Sequence, residues 1–261
     1  MELQGNTAIV TGAGQGIGKA IALAFAKEGA DLVLAARSQE KLEEVARECQ
    51  ALGRKALPLG ADVSKKGQVQ ALVEAAIKNF GKIDILVNNA GIAGPNAPVT
   101  EVKEEEWDEV LDINLKGTFL CSQAVLKEMI PRRSGRIINM SALGGIRGYP
   151  RRSPYSVSKW GINGFTQTLA MEAGPYNIQV NALCPGPVRG ERLLRVFQRE
   201  ADATGTTLEK ILGSFEARSP LRKIVTEEEV AQLAVFLASE RSNGITGQVI
   251  NIMAGFELSA I

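Results

Sequence analysis

The sequence predicts an α/β chain folded as a three-layer, doubly wound sheet of about seven mainly parallel strands. Three observations carry this. Short β-rich runs alternate with helical patterns from end to end. The runs are continuously apolar, as in strands covered by helices on both faces. A glycine-rich turn separates the first run from the first helical pattern, and right-handed crossovers between parallel strands then wind the sheet both ways. The composition agrees: 261 residues, 45% hydrophobic and 23% charged, sit at the globular average and exclude a disordered or collagen-like chain.

Strands are expected at 7–11, 32–36, 55–61, 83–88, 136–141, 178–183 and 248–252. Helical patterns separate them at 16–29, 40–52, about 65–80, 103–129, 155–173 and 227–238. In the first helix Ile17, Ala20, Ile21, Ala24 and Phe25 recur at helical spacing. No internal repeat or linker marks a second domain, so residues 1–261 read as one domain. Residues 186–226 are the least regular stretch and read as a lid over a site.

Several function classes drop out early. A formal net charge of +1 lacks the basic excess that a general nucleic-acid binder needs. The chain has no histidine, which removes the Ser-His-Asp triad, the Cys-His dyad and every His-based zinc site. No metal is expected. Cys49, Cys121 and Cys184 are odd in number and widely spaced, and read as reduced thiols of a cytoplasmic protein. The N-terminus lacks a basic n-region and a long apolar run, so neither a signal peptide nor a membrane span is expected.

The turn reads Thr11-Gly12-Ala13-Gly14-Gln15-Gly16-Ile17-Gly18. Glycines between a strand and a helix let a phosphate approach backbone N–H groups at the helix N-terminus. A purely structural turn is the alternative. At the end of the second strand an acid would hold the ribose 2′-OH of NAD. Here Arg37 and Ser38 stand there instead. A guanidinium suits a 2′-phosphate, so NADP is the expected cofactor, with NAD the alternative; an ordinary solvated Arg37 is the plainer reading.

Tyr155 and Lys159 open a helical segment at i, i+4, which puts phenol and ammonium on one face. A nearby cation favours phenolate and readies the tyrosine for proton transfer. Ser141 ends a strand 14 residues before Tyr155, where its hydroxyl could bond a substrate oxygen.

With these residues the chain resembles the short-chain dehydrogenase/reductase family, in its compact single-domain branch, from about Gly5 to Gly255. The motifs appear in order: the turn at Thr11–Gly18, Asp62-Val63, Asn88-Asn89-Ala90-Gly91, Asn114, Ser141, Tyr155/Lys159, Asn181 and Pro185-Gly186. The resemblance implies a Rossmann fold and hydride transfer between a secondary alcohol and a ketone. It implies Tyr155 as general acid/base, Lys159 as the cation that lowers its pKa and holds the nicotinamide ribose, Ser141 as the group that orients the substrate oxygen, and Asn114 as the holder of a water. For the dinucleotide it implies Gly12, Gly14, Gln15, Gly16, Ile17 and Gly18 at the phosphates and Asp62 and Val63 at the adenine. Asn88, Ala90 and Gly91 would lie beside the ribose, with Pro185, Gly186 and Val188 facing the nicotinamide. It also implies a homotetramer built through the fourth and fifth helices.

The chain departs from the family pattern in three places. No threonine follows Pro185-Gly186; Gln15 replaces a basic residue common in NADP-using relatives; and Ile252-Met253-Ala254-Gly255 replaces Asp-Gly-Gly, which should alter C-terminal packing more than chemistry. Residues 131–160 carry Arg132, Arg133, Arg136, Arg147, Arg151, Arg152 and Lys159 with no acid, and Arg189, Arg192 and Arg195 follow. Either this is a solubilising or subunit surface, or the substrate is anionic or delivered by an acidic carrier protein. Arg147, Arg151, Arg152, Arg189 and Arg192 are the substrate candidates on the second reading. Carrier docking in the family uses two arginines; Arg133 matches one position and Tyr176 stands at the other. A non-catalytic sensor or scaffold on the same fold is the competing class.

Overall fold

The structure is a computed structural model that describes residues 1–258, apart from the side chains of residues 192, 199, 200 and 203. Its elements run β1 (Thr7–Thr11), α1 (Gly16–Lys27), β2 (Asp31–Ala36), α2 (Gln39–Ala51), β3 (Ala56–Gly60), α3 (Lys66–Phe80) and β4 (Ile85–Asn88). Then come α4 (Glu104–Leu111), a π-helical turn (Asp112–Lys116), α5 (Gly117–Arg132), β5 (Gly135–Met140), α6 (Ser153–Ala173) and β6 (Ile178–Pro185). The last elements are β7 (Val188–Arg189), α7 (Glu191–Thr204), α8 (Leu208–Arg218), β8 (Val225–Thr226), α9 (Glu227–Ala238) and β9 (Val249–Ile252).

Seven strands form one sheet in the order β3-β2-β1-β4-β5-β6-β9, and every neighbouring pair is parallel. Alternation along each strand sends successive side chains to opposite faces. Val10, Leu34, Ile85 and Val87 therefore pack with Ile21 and Phe25 of α1, Leu42 of α2 and Val230 of α9. Ile9, Val33 and Leu86 pack on the other face with Leu72 of α3, Val125 of α5 and Leu169 of α6. Both faces are covered, which is why the strands read as unbroken apolar runs. The order reverses between β1 and β4, and such a switch point opens a crevice at the strands' carboxyl ends.

Residues 186–226 are more regular than the sequence suggested. They hold α7 and α8, and the two-residue strands β7 and β8 pair in parallel to clasp the base of the segment. Phe197, Ala201, Ile211, Leu212 and Ile224 give it a small core of its own. No helix among the described residues is long and apolar enough to cross a membrane.

Candidate active site

At the switch point the glycine turn is braced from β4. Thr11 Oγ1 donates to the Val87 carbonyl (3.2 Å) and accepts from the N–H groups of Asn89 and Ala90 (3.0 Å each). Asn89 Nδ2 donates to the carbonyls of Thr11 (2.9 Å) and Gly12 (3.2 Å). Gly12 is left-handed (φ 66°), and a Cβ there would lie 2.8 Å from Asn89 Nδ2. A Cβ at Gly18 would overlap the Gly12 carbonyl oxygen. The chain thus folds back on its own backbone, and the first turn of α1 stays open to an incoming group. Ile17 packs partly against the core below. This bare backbone at a helix N-terminus fits a pyrophosphate.

Arg37 and Ser38 are exposed at the end of β2, and the Ser38 hydroxyl takes no part in capping α2. Lys41, which the sequence reading passed over, joins them: its Nζ donates to Gln15 Oε1 at 2.7 Å, and its Cβ would be 3.2 Å from a Cβ at Gly14. Its position one helical turn after Arg37 was the available signal. Asp62 accepts from the Ser64 N–H (3.0 Å) and hydroxyl (2.8 Å). Burial pushes its carboxyl up, but those bonds and the charges of Lys65 and Arg37 outweigh this and hold it below the usual range. Val63 is buried against Gly117 of α5, so its side chain serves packing.

The catalytic candidates converge beside this crevice. Asn114 sits in the π turn, fully buried. Its Oδ1 accepts from the Ile92 N–H (2.8 Å), and its Nδ2 donates to the Ile92 carbonyl (2.9 Å) and to Ser158 Oγ (3.1 Å). Both side-chain donors are spent, so a water would find only its oxygens. Gly91 lies beside both Asn114 and Lys159: a Cβ there would be 3.1 Å from Asn114 Oδ1 and 3.8 Å from Lys159 Nζ. Lys159 is buried, donates to the Met140 carbonyl (2.7 Å) and lies 5.7 Å from the Tyr155 ring centroid. Ser141 Oγ is buried, 3.4 Å from the Lys159 carbonyl, and also hydrogen-bonds Cys184. Burial pushes the Cys184 thiol up to about 12, which leaves it a neutral packing group. Asn88 stands one layer below, donating to Ser122 Oγ (3.0 Å) and Asn139 Oδ1 (2.9 Å). Pro185 ends β6 opposite Ile252, and Gly186 packs on Met253, part of the altered C-terminal motif. Val188 pairs with Val225 in the clasp.

Sequence reasoning missed Ser158 and Asn163. Asn163 Nδ2 donates to the Gly145 carbonyl (2.8 Å), holding the 143–145 turn against Ser141 and Tyr155.

The arginines divide. Arg151 donates to the Asn96 side chain (3.3 Å) and carbonyl (3.0 Å), and Arg152 to the carbonyls of Ala93, Gly94 and Pro95 at 3.5, 3.0 and 3.3 Å. Both staple the 93–96 loop, supplying donors to carbonyls that lie outside any helix or sheet. Arg189 faces Glu216 at 3.8 Å. Arg192 lies outside the described side chains. Of the described substrate candidates only Arg147 lines the cleft beyond Tyr155, with Arg218 and Phe256, which the sequence reading did not select. Arg133 donates to the Pro175 carbonyl (2.8 Å) and lies 6.0 Å from the Tyr176 ring centroid, so the departure at Tyr176 engages the candidate docking arginine.

A family model described as enoyl-(acyl carrier protein) reductase matches residues 12–257. The chain is 40% identical, over 98% of its length and 99% of the relative's, to the 3-oxoacyl-[acyl-carrier-protein] reductase FabG of Thermotoga maritima. The chain belongs to the short-chain dehydrogenase/reductase family. Two solved members of the family superpose closely. A xylitol dehydrogenase with bound NAD+ gives a TM-score of 0.92 at 32% identity, over 98% of this chain and 100% of that one. An actinorhodin polyketide ketoreductase with NADPH gives 0.91 at 35%, over 97% of each chain. This short-chain dehydrogenase/reductase is an NAD(P)-dependent oxidoreductase acting between secondary alcohols and ketones.

Proposed function

We propose that Tyr155 is the general acid and base of this reaction. The observation that carries the proposal is the buried Lys159 ammonium 5.7 Å from the Tyr155 ring, fixed by the Met140 carbonyl. A held cation favours the phenolate, so the hydroxyl can give its proton to a carbonyl oxygen or take one from an alcohol near neutral pH. Ser141 donates to the same substrate oxygen and orients it. Asn114 is a positioning residue that ties the Ile92 loop to Ser158 on α6. The dinucleotide, when bound, supplies or accepts the hydride.

NADP is the preferred cofactor on this reading. Arg37, Ser38 and Lys41 gather hydroxyl and cationic donors where a 2′-phosphate would lie, without an acid at the end of β2. The lid is 186–226, carried on the clasp of β7 and β8. Assembly through α5 and α6 into a tetramer is supported by exposed apolar residues on those helices, Phe119, Trp160 and Met171. A cytoplasmic setting agrees with three buried free thiols.

The test is Tyr155→Phe. Turnover should fall about 10²–10⁴-fold, while NADP titrates as before. Retention of more than about a tenth of the rate would remove Tyr155 from the assignment, since general acid–base help is worth more than that. In the same titrations NADP should bind the unmutated protein about tenfold more tightly than NAD, the worth of one charge-assisted contact; equal affinities reject the preference.

A further inference from the structure

Glu227 is the first residue of α9, and its side chain reaches the starts of two other helices. Its Oε1 would lie 3.5 Å from a Cβ at Gly16, which opens α1, and 1.9 Å from a Cβ at Gly190, the N-cap of α7. Gly190 has extended backbone (φ −151°), a conformation open to any residue. Its lack of a side chain therefore answers to the Glu227 carboxyl, which fills the space a Cβ would take. The spot joins two parts of the cofactor crevice. Gly16 belongs to the turn whose bare backbone fits a pyrophosphate, and Gly190 follows the strand β7 at the foot of the 186–226 segment. Residues 185–190 bring no hydroxyl or carboxyl of their own, so the acid at this junction comes from α9.

The carboxyl is half-buried and makes no hydrogen bond or ion pair among the described residues. The described cations near the starts of these elements face other acids. Lys19 of α1 pairs with Glu48 at 2.8 Å, Arg195 of α7 with Glu191 at 3.3 Å, Arg189 of β7 with Glu216 at 3.8 Å, and Lys223 before β8 with Glu229. The charges that bear on Glu227 are acids too, Glu228 on its own helix and Glu191 on α7. Burial first, and these two next, disfavour its ionised form.

We infer that Glu227 is a proton-linked contact of the dinucleotide: its carboxyl faces the pyrophosphate, takes up a proton from solvent as the cofactor binds, and in that neutral form donates to a phosphate oxygen. The inference rests on the dinucleotide lying along the glycine turn, and adds a proton to that binding. Two anions close together in a half-buried site repel, so the complex holds the acid neutral and the ionised carboxyl opposes binding. A group that binds its proton more tightly in the complex makes affinity rise as pH falls between its free and bound values, and leaves affinity flat outside them. Protonated, the acid supplies the one donor that a hydroxyl would supply at this point.

The experiment titrates NADP onto the unmutated protein and onto Glu227→Gln by calorimetry, from about pH 5 to about pH 8, a range that brackets the usual carboxylate value and neutrality. The 2′-phosphate titrates in the same range, but it does so with both proteins and cancels in the ratio of their Kd values. That ratio, unmutated over variant, should lie near one in acid and reach about tenfold or more at the alkaline end, the cost of setting two like charges together. Repeating the titration in two buffers of different ionisation heat should show the unmutated protein taking up more protons than the variant. Adenosine 2′-phosphate, which has no pyrophosphate, should bind both proteins alike at every pH. Thermal melts at each pH check that both are folded. A ratio that does not move with pH, a carboxylate that strengthens binding at the alkaline end, or the same pH-dependent ratio with adenosine 2′-phosphate would each overturn the inference. NADP binding to neither folded protein would sink the placing of the dinucleotide at the turn instead.

Discussion

The two sides of the cleft are built on different principles. On the dinucleotide side the chain is pressed against itself: Gly18 leaves no room beside the Gly12 carbonyl, and Asn89 and Thr11 tie the turn to β4 through backbone atoms. On the proposed substrate side the 190–224 segment stands on a two-residue clasp and is filled by its own small core, meeting the body through side chains such as Phe215 on Phe256 and through one backbone bond, from the Leu221 N–H to the Ala254 carbonyl. The difference separates two kinds of specificity. What binds at the turn is set by local backbone geometry, so few substitutions are open there. On the proposed reading, what binds beneath residues 186–226 is set by side chains brought together from distant parts of the chain, so it can change while the sheet stays as it is.

Gly18→Ala should break this contrast most severely. The added methyl meets the Gly12 carbonyl, a backbone atom that cannot swing away. Overpacking of this kind costs about 1–3 kcal/mol, and displacement of the turn should abolish dinucleotide binding. Chemical denaturation and a fluorescence titration check the two halves; a Gly18→Ala protein that binds NADP normally would mean the turn is looser than its geometry.

Phe197→Ala should act on the other side alone. Removing a buried ring from a small core costs about 3–5 kcal/mol locally. The expected result is protease cleavage within 190–224 and a raised substrate KM, with NADP affinity little changed because Phe197 packs within the core of that segment rather than against the glycine turn. Loss of NADP binding in step would show that the two sides fold as one unit.

Glu227 sharpens the comparison because it touches both sides. Its Oε1 would be 3.5 Å from a Cβ at Gly16 and would overlap one at Gly190. Burial, then the charges of Glu228 and Glu191, push its carboxyl above the usual range. The sign follows: the neutral acid's stability is fully present below the unfolded value of about 4.3 and is lost as pH rises through the higher folded value. Glu227→Gln should therefore raise Tm modestly at neutral pH, and the gain should vanish in acid. Thermal melts at the two pH values decide it; an equal shift at both would point to packing rather than charge.

Much of this was readable from residues alone. All seven sheet strands were, because strands buried on both faces are continuous apolar runs. The pairing of Tyr155 with Lys159, on which the proposed catalytic set rests, was also legible, since the two are neighbours along one helix. The lid helices were not. Pro185, Gly186, Pro187, Gly190 and Pro220 punctuate that region and read as loop, although Leu193, Leu194, Phe197 and Ala201 recur at helical spacing. The arginines show a deeper limit. A charge count over 131–160 says nothing of direction: Arg151 and Arg152 turn back to bare carbonyls, while Arg218, far along the chain, arrives beside Arg147 only through the fold.

The π turn at Asp112–Lys116 carries a further consequence, one of helical phase. Gly117 N–H reaches back five residues to the Asp112 carbonyl, so the turn holds one residue more than an α-helix would. That extra residue offsets α5 from α4 by about 100° of rotation. The offset lets Val110 face inward before the turn and Leu120, Cys121 and Val125 face the sheet after it, with Asn114 bonded to Ile92 between them. Deleting one residue anywhere in 112–116 would bring the two helices into a common phase and swing the whole apolar stripe of α5 off the sheet. Changes of length are therefore open to this lineage in the surface loops, but along 104–132 the count of residues is itself part of the geometry of the candidate site.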